Sequence, residues 1–261
     1  MRLDVYLTAN GYADSRQRAK LMITEGYVRV NSRIATKVAM DVCETDVIEV
    51  TGDPIGYVSR GALKLEAAFK YFEIDATQKT AIDVGASTGG FTEFLLEKGA
   101  KKVYAVDSGV NQLAEKLRKD ARVICMEKYN ARLLLKEDFP DEIELAVMDV
   151  SFISQTLIHP ALSNILSNGS IFVSLIKPQF EAGREAIGKG GIVKNPVSRA
   201  MSVKRVIDSA KENGFHFVNL AESPIKGGDG NTEYLACFCK GDAKNAYTEN
   251  IDLLISKIVN S

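Results

Sequence analysis

Seven short apolar runs, separated by stretches of helix length, limit what this chain can fold into more than any other feature. They lie at 80–84, 102–106, 122–126, 144–149, 170–176, 215–220 and 234–239. Strands that alternate with helices build a parallel sheet, because parallel neighbours need a crossover and the crossover covers a sheet face. The pattern predicts an α/β domain over residues 60–261 with helices on both faces. A tail helix from about Ala243 closes it, with Ile251, Leu254, Ile255, Ile258 and Val259 at helical spacing.

The first 55 residues follow another rhythm. Leu3, Val5, Tyr6 and Leu7 begin a short helix that Gly11 ends, and Ser15 is placed to cap a second helix with Ala19, Leu21, Met22 and Ile23 on its apolar face. Gly26 stops that helix before the alternating strand at 27–30, Asn31-Ser32 makes a turn, and a last strand lies near 47–50. Turn residues gather at Thr51-Gly52-Asp53-Pro54-Ile55-Gly56, which predicts a small α+β domain at 1–55, a linker at 56–59 and the larger domain beyond.

Charge divides the same way. The formal net charge is −1, yet up to Lys37 the basic Arg2, Arg16, Arg18, Lys20, Arg29, Arg33 and Lys37 outnumber the acidic Asp4, Asp14 and Glu25. Asp41, Glu44, Asp46, Glu49 and Asp53 then follow with no basic residue among them. A basic face is the footprint of phosphate contact, although a merely solvated surface has the same composition. No run approaches the ~20 apolar residues of a membrane span, and the opening Met1-Arg2-Leu3-Asp4 is charged where a secretory signal is apolar, so the expectation is a cytoplasmic protein. Cys43, Cys125, Cys237 and Cys239 lack a disulfide or zinc rhythm and read as buried free thiols; His159 and His216 are too isolated to bind a metal.

Residues 81–92 join an apolar strand, a glycine-containing turn and a helix start, an arrangement that brings backbone N–H groups close to a ligand. Ser87 occupies the middle glycine position of the dinucleotide fingerprint, which disfavours a nicotinamide cofactor. Asp107 closes the next strand, where a carboxylate accepts both hydroxyls of an adenosine ribose. Asp83, just before the turn, suits the ammonium of S-adenosylmethionine and would repel a pyrophosphate. Either aspartate could instead be a cap or a solvated strand end.

Five motifs carry a resemblance: residues 57–65 (YVSRGALKL), 83–92 (DVGASTGGFT), 148–154 (MDVSFIS), 176–181 (IKPQFE) and 230–235 (GNTEYL). Together, over about residues 2–240, they are similar to the haemolysin A (TlyA) family, whose catalytic domain resembles the FtsJ-type ribose methyltransferases. The first domain, through Arg2-Leu3-Asp4, residues 15–19 and residues 26–31, resembles the S-four-type RNA-binding module, with Ser32 where glycine is common. The resemblance implies a Rossmann-like class I methyltransferase with a small N-terminal RNA-binding domain, acting with S-adenosylmethionine on a ribose 2′-hydroxyl, of cytidine, in ribosomal RNA or ribosomal subunits. Oligomerisation is not required. It places a Lys-Asp-Lys-Glu tetrad on Lys64, Asp149, Lys177 and Glu233, and cofactor contacts on Asp83, Gly85, Ser87, Gly89, Gly90, Phe91, Asp107 and Asn130. It implies RNA contacts at Arg16, Arg18 and Lys20, with Arg2, Arg29 and Arg33 as neighbours. Residues 180–191 are rich in glycine and charge and read as a mobile loop whose Arg184 and Lys189 reach phosphate.

The chemistry suits such a group, since a sulfonium methyl is already electrophilic and the enzyme must align a weakly acidic hydroxyl and remove its proton. Lys177 is the candidate base, its proton affinity lowered by burial and by the cationic Lys64; Asp149 would orient it, and Glu233 would hold Lys64 or the ribose. Taken singly, Lys64 could be a solvated helix residue, Asp149 a strand-end cap, Lys177 an ion-pair partner, Glu233 an edge-strand charge and Asn130 a helix cap. Two other functions compete: a non-enzymatic RNA-binding or ribosome-assembly factor on the same fold, and a membrane-active haemolysin.

Overall fold

A computed structural model describes the chain except residues 14, 53–55, 228–229, 242–245 and 261. Asp14, the Asp53-Pro54-Ile55 part of the turn-rich segment and Ala243 therefore lie outside the described residues. The chain forms two compact units, Met1–Gly56 and Tyr57–Ser261.

The first unit contains α1 (Leu3–Ala9), α2 (Arg16–Thr24), β1 (Val28–Val30), β2 (Arg33–Ile34) and β3 (Ile48–Val50). Its strands are antiparallel in the order β2-β1-β3. Ser15 caps α2 by accepting the Arg18 N–H at 3.2 Å, and Leu3, Leu7, Ala19, Met22, Ile23, Val28 and Val30 form the core. Asn31 and Ser32 sit at φ +50° and +63° between paired Val30 and Arg33, the two-residue turn whose twist matches a hairpin. Strand β2 was not expected, because two exposed residues carry no alternation to read.

The second unit runs α3 (Gly61–Phe72), β4 (Thr80–Val84), α4 (Gly90–Glu97), β5 (Lys102–Val106), α5 (Glu115–Arg118), β6 (Val123–Met126), β7 (Ile143–Met148), α6 (His159–Ile165), β8 (Leu166–Ile176), α7 (Pro178–Glu181), α8 (Pro196–Glu212), β9 (Phe215–Glu222), β10 (Tyr234–Lys240) and α9 (Ile251–Val259). The strands form one sheet in the order β6-β5-β4-β7-β8-β10-β9. From β6 to β8 the pairing is parallel, but β10 is antiparallel to both neighbours, which corrects the expectation of a wholly parallel sheet. The reason is length: residues 223–233 are too few for the crossover that a parallel return from β9 needs.

Residues on the two faces alternate along each strand. Ile82, Val84, Met148, Phe172 and Ile176 pack with α6, α8 and α9, while Ala81, Leu145, Val147, Val173 and Leu175 pack with α3 and α4. Both faces are covered, so β4 is buried throughout. The tail helix docks through Ile255 and Val259. Because β5 leaves β4 on one side and β7 pairs on the other, a crevice opens at the carboxyl ends of these strands, where such folds bind ligands. Gly85, Asp107, Asp149 and Lys177 are the residues that directly follow β4, β5, β7 and β8.

Candidate active site

The turn after β4 is held open by glycine where glycine is needed. Gly85 has φ +87°, and a Cβ there would lie 2.5 Å from the Asp149 carbonyl oxygen, so only glycine lets the β4 and β7 exits lie side by side. A Cβ on Gly89 would collide with Leu117, and one on Gly90 with Ser59 Oγ. These two glycines and the buried Phe91 pack α4 into the domain, and they shape the turn from below. A cavity of about 360 Å³ lies above it, lined among others by Gly85, Ser87, Asp107, Asn130, Asp149 and Ser151. Of the expected cofactor residues, then, Gly85, Ser87, Asp107 and Asn130 face this space, whereas Asp83, Gly89, Gly90 and Phe91 do not line it. A larger cavity of about 590 Å³ between α7, α8 and α9 contains no expected site residue.

The Asp107 carboxylate accepts the backbone N–H of Ser87 at 2.8 Å and of Gly109 at 2.7 Å, which locks the ends of two loops around the cavity. Asn130 Oδ1 accepts the Arg132 N–H at 3.2 Å and so caps a short 3₁₀ turn while its side chain borders the cavity, joining both readings of this residue. Asp83 is fully buried; its Oδ2 accepts the Thr92 hydroxyl at 2.7 Å and its Oδ1 has no donor. Burial, opposed by the Thr92 bond and reinforced by the negative charges of Asp149 and Asp107, pushes the Asp83 carboxyl up to about 7. Three carboxyl groups and an unsatisfied acceptor around one glycine turn favour a cation. That fits the ammonium and sulfonium of S-adenosylmethionine and disfavours a pyrophosphate.

The four tetrad residues form two ion pairs. Lys64 on α3 meets Glu233, just before β10, with Nζ 2.5 Å from Oε2, and both side chains are almost fully buried. Lys177 meets Asp149 with Nζ 2.5 Å from Oδ1, and it also donates to Ser151 Oγ at 2.8 Å. These are the partners expected for the two lysines, Asp149 orienting Lys177 and Glu233 holding Lys64, and opposite charges attract strongly in a low-dielectric interior. A buried ion pair such as Lys64–Glu233 adds little net stability over apolar packing, so this pair, with the half-buried Lys177–Asp149 at two strand ends, points toward chemistry more than toward folding.

Three residues within the motifs at 148–154 and 176–181 had no individual role assigned from sequence. Phe152 is 92% exposed at φ +64°, its ring centroid 5.2 Å from that of Phe180. Ser151 contacts Lys177. Glu181 is buried, with Oε2 accepting from Ser154 Oγ at 2.5 Å and Oε1 from the Gln155 N–H at 2.9 Å. An apolar motif around Phe152 reads as core, and a glutamate in a short polar helix reads as surface.

Arg184 and Lys189 are exposed after α7. In the first unit Lys20, Arg29 and Arg33 are exposed and Arg18 is half-buried. Arg2 and Arg16 both grip the buried Asp4, at 2.9 and 2.8 Å, so they serve the fold as well as the surface. His159 is buried against Phe172 and Phe215, bonded to Ser209 Oγ at 2.9 Å, and burial pushes it down to about 4, a neutral core residue. Cys237 and Cys239 are buried thiols, but Cys43 is exposed and Cys125 half-buried, which corrects the expectation for those two. Cys43 is hydrogen-bonded to the polar Thr45 and Asp46. Among the described residues no helix is long and apolar enough to cross a membrane.

Residues 57–240 match the model of the FtsJ-like methyltransferases, and residues 1–48 match the S4 domain. The chain is 49% identical over 239 residues to Hemolysin A of Brachyspira hyodysenteriae, covering 91% of this chain and 99% of that one. It is 44% identical over 234 residues to the 16S/23S rRNA (cytidine-2′-O)-methyltransferase TlyA of Mycobacterium tuberculosis, covering 89% and 87%. A solved structure of a hemolysin from Streptococcus thermophilus superimposes with a TM-score of 0.79 at 41% identity, covering 100% of this chain and 94% of that one.

Proposed function

The chain belongs to the FtsJ-like methyltransferase family and carries an S4 domain ahead of the catalytic one, and from that premise we propose that it methylates the ribose 2′-hydroxyl of cytidine in ribosomal RNA, with S-adenosylmethionine as donor. The observation that carries this reading is the pair of lysine–carboxylate contacts, Lys177–Asp149, whose aspartate lines the cavity, and Lys64–Glu233. Bound at the glycine turn, S-adenosylmethionine supplies an electrophilic methyl carbon. Asp107 and Asn130 receive its adenosine, and Asp83 balances its positive charge.

The protein's part is alignment and proton removal. Lys177 is the group placed to take the 2′-hydroxyl proton when the methyl would leave the sulfonium sulfur for that oxygen, and an ammonium there would be held by Asp149 and Ser151 in the geometry seen here. Lys64, fixed by Glu233, holds the ribose. Exposed Lys20, Arg29 and Arg33 of the first unit, with Arg184 and Lys189 of the second, bind phosphates of the RNA. Assembled ribosomal subunits in the cytoplasm are the substrate we favour, and one chain suffices.

The test is transfer of labelled methyl to ribosomal RNA and to purified subunits by the parent protein and by Lys177→Ala, with mapping of ribose methylation. The parent is expected to modify a cytidine and the variant to lose at least ~100-fold in rate. Equal rates would remove Lys177 as the base, and a parent that neither binds S-adenosylmethionine nor modifies RNA would favour a non-enzymatic RNA-binding role.

A further inference from the structure

Two segments carry the Lys177–Asp149 pair: the loop 149–155 that follows β7, and the turn 177–181 that follows β8. They are cross-linked at three levels. At the cavity end Lys177 Nζ contacts Asp149 and Ser151. In the middle the rings of Phe152 and Phe180 lie 5.2 Å apart. At the far end the Glu181 carboxylate accepts from Ser154 Oγ at 2.5 Å and from the Gln155 N–H at 2.9 Å. Glu181 is only 3% exposed, and burial raises its carboxyl above the usual range. A buried carboxylate is costly to maintain, and the charge that acts on this one is the Arg205 guanidinium, which does not line the cavity at the glycine turn.

Its surroundings show what it holds. The Arg205 guanidinium donates to the Glu181 carbonyl oxygen at 2.8 Å, which anchors α7 to α8. Gln155, whose N–H Glu181 receives, sends its own side chain to Ser174 Oγ and to the Leu175 carbonyl of β8, the strand that ends just before Lys177. The loop is thus tied to β8 and to α7 at once. Lys177 Nζ donates to Ser151 Oγ and pairs by charge with Asp149 Oδ1 at 2.5 Å. Its direction toward a substrate is defined only while loop and turn keep their register, because a long flexible side chain on an unanchored loop samples many orientations.

We infer that Glu181 is a positioning residue for methyl transfer: by clamping Ser154 and Gln155 to the turn that bears Lys177, it fixes the direction in which Lys177 meets the ribose hydroxyl. The inference rests on the reading of Lys177 given above. It acts on the chemical step, since Glu181 is not among the residues that line the cavity at the glycine turn and is not one of the basic residues expected to meet RNA. Phe152, carried on the same clamped loop, is held at its exposed position by the same contacts.

The experiment compares the full-length parent with Glu181→Ala, Glu181→Gln, Ser154→Ala and Lys177→Ala. Rates of methyl transfer to purified ribosomal subunits, KM for subunits, S-adenosylmethionine affinity by calorimetry and the unfolding midpoint are measured for each. Glu181→Ala is expected to lose about 10–100-fold in kcat, with both affinities within about twofold of the parent. Glu181→Gln should recover to within about threefold, because its amide oxygen can still accept the Gln155 N–H and its amide nitrogen can donate to Ser154 Oγ. Ser154→Ala should fall between them. A folded Glu181→Ala with unchanged kcat, or a loss confined to S-adenosylmethionine affinity and midpoint, would overturn the inference. If Glu181→Ala does not fold, Ser154→Ala and Glu181→Gln decide it: parental kcat in Ser154→Ala, or no recovery in a folded Glu181→Gln, overturns it. An active Lys177→Ala would overturn the reading beneath it instead.

Discussion

Lys64 and Glu233 stand 169 positions apart along the chain, and their Nζ and Oε2 atoms meet at 2.5 Å with almost no solvent between them and the core. Removing either partner strands the other charge in a buried site, at a cost of about 3–5 kcal/mol. Lys64→Ala and Glu233→Ala should each lower stability by that amount in denaturant melts. The double variant Lys64→Met/Glu233→Leu should regain most of it, yet none of the three should methylate RNA. A double variant that regains stability and keeps activity would leave this pair a purely structural role.

On the role proposed for Asp83, the binding of S-adenosylmethionine should have a defined pH dependence. Its carboxyl is pushed up to about 7 from an ordinary 3.8, and a cationic ligand selects the ionised form. Affinity should therefore hold above about pH 7 and weaken below it, by up to ~tenfold per pH unit, as each binding event must release one proton. In the free protein the sign reverses: a raised carboxyl lowers stability as pH rises from 3.8 to about 7. Calorimetry in buffers of different ionisation heat should detect the released proton. Asp83→Asn should bind more weakly, with no such slope.

Asp4 separates fold from surface in the first unit. The Arg2 side chain, joined by Arg16, outweighs burial and lowers its carboxyl to about 2 from 3.8. The contribution is complete above pH 3.8 and disappears as pH falls through that value toward about 2. Arg16→Ala should thus weaken RNA binding and also speed amide exchange in α1 and α2. Lys20→Ala should change RNA binding alone, reducing the slope of log K against log salt by about 1. Equal effects of both variants on amide exchange would contradict this division.

Phe152 should matter to RNA and hardly to folding. It is 92% exposed, so Phe152→Ala is expected to move stability by no more than ~0.5 kcal/mol. Its φ of +64° costs an L-residue about 1–2 kcal/mol, which loop 149–155 maintains beside the cavity. A ring presented there can stack on a base, an interaction worth ~1–3 kcal/mol, so methyl transfer should drop about 5–100-fold while S-adenosylmethionine affinity is unchanged. Unaltered transfer would exclude base contact.

Much of the scaffold was legible from residue order. The seven apolar runs reappear as strands with ends shifted by a few residues, and the turn after β4 places Gly85, Ser87 and Asp107 around one cavity. The Asn31-Ser32 turn forms where its residue types predict it. Gly89, Gly90 and Phe91, expected as ligand contacts, also pack α4, and a glycine required by a neighbouring helix has the same letter as one required by a ligand.

What residue order determined by itself is local: which side of each strand and helix is apolar, where backbone must turn left-handed, and which unit carries basic charge. Those follow from periodicities of two and 3.6 residues and from single side chains. Tertiary structure alone decided the reversed direction of β10, the Glu181 clamp and the exposure of Phe152, and it supplied the distances at which Lys177 meets Asp149 and Lys64 meets Glu233. Such contacts depend on which strand ends become neighbours, and strand order is set by crossover length and the burial of both sheet faces across the whole domain.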